Sequence, residues 1–290
     1  MLILYLMILV QPLVFAKESL SVKWLGVASV ALSDGKDTLV FDPVPTKPTL
    51  MNWVLGTELR SDPVRVTRMI ERAEIEQVSG VFLSHTHFDH AVDGAEVAVR
   101  MKAPIYGGAS VAKIAHAHDP SPRFIGIIPD QKLTIGKFKI TPIRRQHATI
   151  LSLFQFLPGE VRAGFSFQFY QYREGETWNY YIEHPLGNIL FDQSGQFHAP
   201  NAKFKGQVDT HLSGVSNRKS DQDWVENNIL AINPKRVIPL HFDVFFLQGE
   251  WLEQQHLPGA RLEQLEALLK TKAPTVKWTT PQLYQKIALD

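Results

Sequence analysis

A short polar segment in the first third of the chain carries several side chains of the types that bind metals. They are His85, His87, Asp89 and His90. Imidazole and carboxylate groups together suit zinc and similar divalent ions. His85 and His87 can point the same way from an extended loop, whereas Asp89 and His90 follow in a turn and can reach a second point nearby. This spacing predicts a metal site, and a solvated polar loop is the weaker interpretation.

The surrounding elements explain how such a segment would be held. Residues 81–83 are apolar and predict a buried strand that leads directly into the polar segment. Earlier β-rich runs at 21–26, 28–33 and 38–41 predict a meander. Pro63 at the first helical position predicts a helix that runs to Ala73. A second helix is predicted over residues 91–101.

The second half of the chain also alternates short predicted strands and helices. Strands are predicted at 165–172, 178–183, 188–191 and 236–239, and helices at 224–232 and 261–270. Strands followed by helices, twice over, predict two sheets packed face to face with helices outside. The expected fold is therefore an α/β protein with an αββα sandwich. No boundary divides residues 17–290, which predict one domain.

With these residues identified, the sequence resembles the metallo-β-lactamase superfamily over nearly all of the chain after residue 16. The resemblance implies further ligands at His147, Asp192 and His241. It implies one metal ion on His85, His87 and His147. It implies a second on Asp89, His90 and His241, with Asp192 bridging the two.

Two early segments carry a finer resemblance. Residues 24–29 and 39–43 resemble the branch of ascorbate-6-phosphate lactonase-like and N-acyl-phosphatidylethanolamine phospholipase-like hydrolases. Within the second segment, Asp42 resembles the buried carboxylate that orients a ligand or its loop in this family. The alternative for Asp42 is a turn-forming residue before Pro43.

The resemblance implies a metal-dependent hydrolase with two divalent ions, zinc first and manganese or iron as alternatives. A hydroxide held by both ions would attack an ester, a lactone or an amide. Asp89 and Asp192 would hold the ions and orient the nucleophile. His211 is a candidate to bind substrate or protonate a leaving group, and a structural or exposed histidine is its alternative.

Other functions stay open at this point. One is a phosphodiesterase that acts on a phospholipid or a nucleotide. Others are an exported metal-binding protein without turnover and an iron-dependent redox enzyme. A true β-lactamase is disfavoured by Asp192, because the resemblance implies a different residue at that position in those enzymes.

Composition and charge limit the partners. The formal net charge is +1, which argues against a nucleic-acid binder. The chain has no cysteine, so any metal must be held by histidine and carboxylate ligands. Three apolar segments, 51–55, 150–157 and 245–252, predict a pocket for a lipophilic small molecule or a lip that contacts a membrane surface. Core packing or an oligomer interface is the alternative.

The N-terminus predicts export. The first charged residue is Lys17, and the apolar run before it ends in Val14-Phe15-Ala16. This pattern is typical of a signal peptide over residues 1–16, cleaved before Lys17, in a periplasmic or secreted protein. An uncleaved anchor and a buried N-terminal element are the alternatives.

Overall fold

Two seven-stranded sheets form the frame of the molecule. The computed structural model describes residues 19–149, 154–248 and 255–289. The first sheet contains β1 (Ser21–Gly26), β2 (Ser29–Ser33), β3 (Thr38–Phe41), β4 (Gly80–Phe82), β5 (Ile105–Gly107), β6 (Phe124–Gly126) and β14 (Lys286–Ala288). The second contains β7 (Leu133–Ile135), β8 (Phe138–Arg145), β9 (Thr177–Glu183), β10 (Ile189–Asp192), β11 (Thr210–Gly214), β12 (Arg236–Leu240) and β13 (Lys277–Trp278).

The strand order brings several strand ends to one edge of each sheet. The first sheet runs β14-β1-β2-β3-β4-β5-β6 and is parallel from β3 onward. The second runs β13-β12-β11-β10-β9-β8-β7, and β10 to β13 are parallel. Because β9 is antiparallel to both β8 and β10, β8 points the same way as β10 and β12. The loops that follow these strands therefore leave from the same edge.

Helices of modest length connect the strands. They are α1 (Leu50–Leu55), α2 (Pro63–Arg72), α3 (Phe88–Ala91), α4 (Gly94–Arg100), α5 (Ala109–His118), α6 (Asp221–Asp223) and α7 (Leu262–Lys272). The described residues also form two 3₁₀ helices, Phe169–Gln171 and Ala199–Phe204, and a π-helical segment, Trp224–Leu230. Asp62 caps α2 by accepting hydrogen bonds from two backbone N–H groups of its first turn.

Aromatic side chains fill the space between the sheets. Phe41 of the first sheet stacks on Phe191 of the second at 5.0 Å between ring centroids. Helices α2, α4 and α5 bury their apolar residues on the outer face of the first sheet. On the outer face of the second sheet, Phe204 stacks on Tyr181 at 3.9 Å. This layering confirms the predicted αββα sandwich.

Two predicted elements were wrong in detail. Residues 165–172 form no strand but an irregular turn with a 3₁₀ helix. Their alternating phenylalanines bury themselves in the cluster beneath the helices of the first sheet, and Phe167 has a φ of 64°. The helix predicted over 91–101 is divided between α3 and α4. The division falls at Asp93, whose carboxylate accepts hydrogen bonds from Thr46 and Ser61.

The structure does not test the prediction of an N-terminal signal peptide. The signal peptide predicted over residues 1–16 lies outside the described residues. Among the helices of the described part, none is both long enough and apolar enough to cross a bilayer.

Candidate metal centre

Three imidazole rings converge on one point at the edge where the strand ends meet. His85 and His87 lie in the loop after β4, and His147 lies in the loop after β8. The His87 Nδ1 atom is 3.1 Å from His85 Nε2 and 3.1 Å from His147 Nε2. The remaining pair, His85 Nε2 and His147 Nε2, is 3.2 Å apart. The two sheets thus contribute jointly to this group of nitrogens.

A second group lies beside the first. The Asp89 Oδ2 atom is 3.2 Å from His241 Nε2 and 3.6 Å from His90 Nε2. Asp89 and His90 lie in α3, whereas His241 directly follows β12 and has a φ of 58°. The rings of His85 and His90 are 4.0 Å apart between centroids. The two groups are therefore immediate neighbours.

Most of these rings are oriented through their second nitrogen. His87 Nε2 is 2.8 Å from the Phe156 carbonyl oxygen, and His147 Nδ1 is 2.7 Å from the Ala148 carbonyl oxygen. His90 Nδ1 is 2.7 Å from Asp42 Oδ2. Such contacts fix the tautomer that leaves the other nitrogen free to bind a metal.

Asp42 holds more than one ligand. Its carboxylate is fully buried and also accepts hydrogen bonds from the backbone N–H and the hydroxyl of Ser84. The Ser84 hydroxyl in turn lies 3.1 Å from His85 Nδ1. Asp42 therefore has the orienting position that the resemblance implied, in contact with His90 and, through Ser84, with His85.

Burial and mutual charge keep the first group ready to bind a cation. Burial lowers the pKa of His87 to about 4. Burial and the neighbouring histidines lower the pKa values of His85 and His147 well below the ordinary range. These rings are therefore neutral near pH 7, which is the form that ligates metals.

The second group carries the negative charge. Burial opposes ionisation of Asp89, but the adjacent His90 and His241 lower its pKa. Burial likewise opposes protonation of His90, but Asp89 and Asp42 raise its pKa. An anionic carboxylate beside two imidazole rings is a donor set for a second cation.

The geometry fits the ions that the resemblance implies. Nitrogens around tetrahedral zinc, each about 2.0–2.1 Å from the ion, lie about 3.3 Å from one another. The nitrogens of His85, His87 and His147 have nearly this spacing, with their free lone pairs facing each other. A single proton cannot satisfy such a triangle, whereas a metal ion can. The oxygen and nitrogens of Asp89, His90 and His241 also lie within 4.8 Å of one another.

The structure does not bring Asp192 into either group. Its Oδ1 accepts a hydrogen bond from Arg145 Nη1 at 2.5 Å, and its Oδ2 accepts one from Asn201 Nδ2 at 2.7 Å. Asp192 does not line the cavity at the metal groups, whereas the next two residues, Gln193 and Ser194, do. Its predicted bridging role would require the carboxylate to leave a buried ion pair, so the case against a β-lactam substrate that rested on Asp192 is weakened.

The structure also separates His211 from the cavity. His211 lies in β11, is fully buried, and has no hydrogen-bond partner for either ring nitrogen. Burial lowers its pKa to about 4, only partly offset by the charge of Asp192. A neutral ring behind the cavity wall is not placed to protonate a leaving group.

The metal groups open into a cavity of about 540 Å³. Its apolar wall draws on all three of the predicted apolar segments. Their described residues at the wall are Trp53, Phe156, Phe245, Phe246 and Leu247. The rings form a continuous surface. The ring centroids of Trp53 and Phe88 are 5.7 Å apart, and those of Phe245 and His241 are 4.7 Å apart. Residues 150–153 and 249–252 of those segments lie outside the described residues.

A pair of buried charges behind His241 was missed at the level of sequence. Asp243 accepts hydrogen bonds from the Val27 N–H with both carboxylate oxygens, and its Oδ2 is 3.5 Å from Lys47 Nζ. The Val27 carbonyl in turn accepts a hydrogen bond from the His241 N–H at 2.8 Å. Asp243 thus positions the backbone of a ligand. Its only sequence signal was its place two residues after His241.

Comparisons with known proteins agree with this fold. Residues 37–175 match the family model of the beta-lactamase superfamily domain. That span includes the loop after β4 and His147. Residues 37–175 are therefore similar to the beta-lactamase superfamily domain, and the two sheets are consistent with the metallo-β-lactamase fold.

One curated relative is a UPF0173 metal-dependent hydrolase of Ruegeria sp. (strain TM1040). It is 23% identical over 129 residues, which cover 44% of this chain and 49% of the relative. The chain thus matches about half the length of this curated protein.

Solved structures show the same fold over almost the whole chain. The metallo hydrolase Igni18 from Ignicoccus hospitalis is 12% identical with a TM-score of 0.62, covering 94% of this chain and 99% of its own. YhfI from Bacillus subtilis is 14% identical with a TM-score of 0.58, covering 93% and 100%. The diiron β-hydroxylase CmlA from Streptomyces venezuelae is 12% identical with a TM-score of 0.53, covering 94% and 54%.

Proposed function

We propose that this protein is a metal-dependent hydrolase that uses two divalent ions to cleave an ester, lactone or amide of a lipophilic small molecule. The observation that carries the proposal is the pair of adjacent ligand groups at the floor of an apolar cavity. The hydrolase name of the curated relative supports it. Zinc is the expected metal because the donor set is imidazole-rich and the spacing is tetrahedral.

Divalent ions, when bound there, supply a water of lowered pKa and a Lewis acid for the substrate oxygen. The chain's own residues prepare the site for this chemistry. His85, His87 and His147 present neutral nitrogens, and Asp89 supplies negative charge to balance a second cation. Asp42 and the backbone carbonyls hold the rings in place. The aromatic wall excludes water around the substrate's apolar part.

Metal analysis and a substrate panel test this proposal. We expect the purified protein to contain about two zinc ions per chain and to hydrolyse p-nitrophenyl butyrate, p-nitrophenyl octanoate or a γ-lactone faster than bis-p-nitrophenyl phosphate. His87→Ala should abolish the activity, and His116→Ala on the surface of α5 is the matched control. A protein that binds no zinc, manganese or iron, or one that prefers the phosphodiester, would overturn the proposal.

An oxidative function is the second candidate. The diiron β-hydroxylase CmlA shares the fold, and histidine–carboxylate ligand sets also hold iron. Activity of the zinc-loaded protein separates the two functions, because an oxidative enzyme would be inactive when loaded with zinc alone.

We also propose that the cavity mouth contacts a lipid surface, as expected for an exported protein with a lipophilic substrate. Helix α1 lies at the mouth, and its Leu50, Val54 and Leu55 are 65%, 67% and 63% exposed. An exposed apolar patch of this kind marks an interaction surface. Sedimentation with phosphatidylcholine vesicles should capture the wild type but not a Leu50→Ser/Val54→Ser/Leu55→Ser variant. Val64→Ser, on α2 and 65% exposed, is the control. Equal sedimentation of all three would refute the contact.

A further inference from the structure

A small cavity near helix α1 contains two arginine side chains that the protein does not pair. The cavity has a volume of about 190 Å³ and is lined by Arg162, Phe165, Tyr170, Gln171 and Arg173. Within the described part of the chain, neither guanidinium makes a hydrogen bond or an ion pair. The described lining also contains no carboxylate. Two unpaired guanidinium groups around one cavity form a site for an anion, and their planar sets of donors suit a phosphate group.

The acidic residues that flank the two arginines in sequence have other partners. Glu160 pairs with Lys113 at 3.7 Å between the charged atoms. The Glu174 carboxylate accepts a hydrogen bond from the Thr177 hydroxyl at 3.4 Å. Neither of these carboxylates lines the cavity. The positive charge of the two arginines is therefore available to an anion from outside the protein.

Tyr170 connects this cavity to the exposed apolar patch of α1. Its ring lines the cavity, and its hydroxyl donates a hydrogen bond to the Trp53 carbonyl oxygen in α1. The residue is 46% exposed. Trp53 and Leu50 of the same helix line the cavity at the metal groups. Helix α1 therefore borders the metal groups directly and contacts the arginine cavity through Tyr170.

We propose that the cavity of Arg162 and Arg173 binds the phosphate headgroup of an anionic phospholipid while the exposed side chains of α1 enter the lipid layer. This inference rests on the lipid contact proposed above and adds a site that selects the kind of lipid. Basic side chains beside an inserted apolar face attract a protein to anionic membranes. A tyrosine, with an apolar ring and a polar tip, suits the boundary between acyl chains and headgroups.

A free phosphate ester is the other source of the same chemistry. It would gain only the contacts of the two guanidinium groups. A membrane lipid also removes Leu50, Val54 and Leu55 from water, and these side chains are among the most exposed large apolar residues of the described chain. Because apolar burial adds to the charge attraction only for the lipid, the observations favour a membrane surface.

Vesicle sedimentation with the zinc-loaded protein tests the proposal. We expect wild type to bind vesicles of equal parts phosphatidylcholine and phosphatidylglycerol more tightly than vesicles of phosphatidylcholine alone. Arg162→Gln/Arg173→Gln should weaken binding to the mixed vesicles by about 25-fold, since one basic side chain at an anionic surface contributes about fivefold. Arg68→Gln/Arg72→Gln changes the charge equally on the exposed surface of α2 and is the control. Equal losses in the two variants would overturn the site.

Two further measurements distinguish a defined headgroup site from general charge and from a soluble ligand. Arg162→Lys/Arg173→Lys keeps the charge but loses the planar donors, so it should bind the mixed vesicles more weakly than wild type. Full retention of the affinity would contradict a phosphate site of fixed geometry. In calorimetric titration, glycerol 3-phosphate should bind wild type far more weakly than the mixed vesicles do. Equal affinities would assign the cavity to a free phosphate ester and overturn the lipid.

The headgroup site and the proposed function fail separately. Hydrolysis of soluble p-nitrophenyl butyrate reports on the metal groups, and neither arginine variant should change it. If the butyrate is not cleaved but phosphatidylglycerol tightens binding through the arginines, the hydrolase function is wrong and the headgroup site stands. If wild type sediments with phosphatidylcholine and phosphatidylglycerol adds nothing, the contact of α1 stands and the headgroup site is wrong.

Discussion

At the scale of single residues, the site depends on groups that never touch a substrate. Asp42 binds the far nitrogen of His90 and, through Ser84, contacts His85. It therefore influences one ligand in each metal group. Residues of this kind typically change metal affinity by about 10- to 100-fold when they are substituted.

Asp42→Asn tests this dependence. The Asn amide has one oxygen, whereas Asp42 accepts the two hydrogen bonds from Ser84 with two oxygens, and the amide carries no charge opposite His90. The zinc affinity should therefore fall by about 10- to 100-fold. Competition with a chromogenic chelator measures the loss. Asp34→Asn is a matched control, because Asp34 is also largely buried but pairs with His184 away from the metal groups. Equal affinities for wild type and Asp42→Asn would show that the rings are oriented by other contacts.

Asp93 gives a second residue-scale prediction, about pH. Burial raises its pKa to about 7, although Ser61 and Thr46 donate hydrogen bonds to it. The folded protein therefore holds this proton more tightly than the unfolded chain, and the free energy of unfolding falls as pH rises from about 4 to about 7. Asp93→Asn is neutral at every pH and escapes this loss.

The melting temperature of Asp93→Asn, relative to wild type, should therefore rise between pH 5 and pH 8. The corresponding gain in the free energy of unfolding should approach about 2 to 4 kcal/mol, at about 1.4 kcal/mol per pKa unit. Asp34→Asn is the control, because the pKa of Asp34 is lowered and its effect should be flat over this range. A difference for Asp93→Asn that does not change with pH would contradict the shift.

At the scale of elements, one buried ion pair ties β8 to β10. Arg145 is the last residue of β8, two residues before His147, and Asp192 is the last residue of β10, just before Gln193. Asn201 of the 3₁₀ helix Ala199–Phe204 also donates to Asp192. The ion pair therefore fixes the loop that carries a ligand against the segment that lines the cavity.

Substitution of Asp192 separates its two interpretations. If the ion pair is the role of Asp192, Asp192→Asn should destabilise the fold by about 3 to 5 kcal/mol and retain both metal ions. Chemical unfolding and metal analysis measure the two effects. The double variant Arg145→Met/Asp192→Leu should recover much of the stability, since it leaves no unpaired charge. Loss of one metal ion with little change in stability would instead support the bridging role.

At the scale of the whole molecule, the candidate metal ligands come from both sheets. His85, His87, Asp89 and His90 follow a strand of the first sheet, whereas His147 and His241 follow strands of the second. A bound ion is therefore a cross-link between the two halves of the sandwich. Only the folded state presents the complete ligand set.

Metal removal should accordingly lower the stability of the entire fold. A ligand present at about 1,000 times its Kd stabilises the folded state by about 4 kcal/mol. Dialysis against EDTA should lower the melting temperature, and added zinc should restore it. His241→Ala should show a smaller response than wild type, because its second group is incomplete. A melting temperature that EDTA leaves unchanged would count against resident metal.

Most of the frame was predictable from local patterns. Strands such as β4 and β12 are short apolar runs that lead directly into ligands, and the sequence places both. Residues 165–172 misled the prediction because alternating phenylalanines suit either a strand or an irregular segment over a second core. The sequence predicts only an apolar segment where α1 forms, since the exposed leucines and valine of this helix follow no core-facing period.

The order of residues was sufficient to predict these candidate ligands, because His85, His87, Asp89 and His90 are close in sequence and their chemistry is fixed by residue type. The partner of Asp192 was decided only in three dimensions. Arg145 lies 47 positions away in sequence but faces Asp192 across the intervening β9. A buried carboxylate pairs with whichever cationic side chain the fold brings next to it. The cavity with two unpaired arginines near α1 is likewise visible only after folding, because whether a guanidinium has a partner depends on everything packed around it.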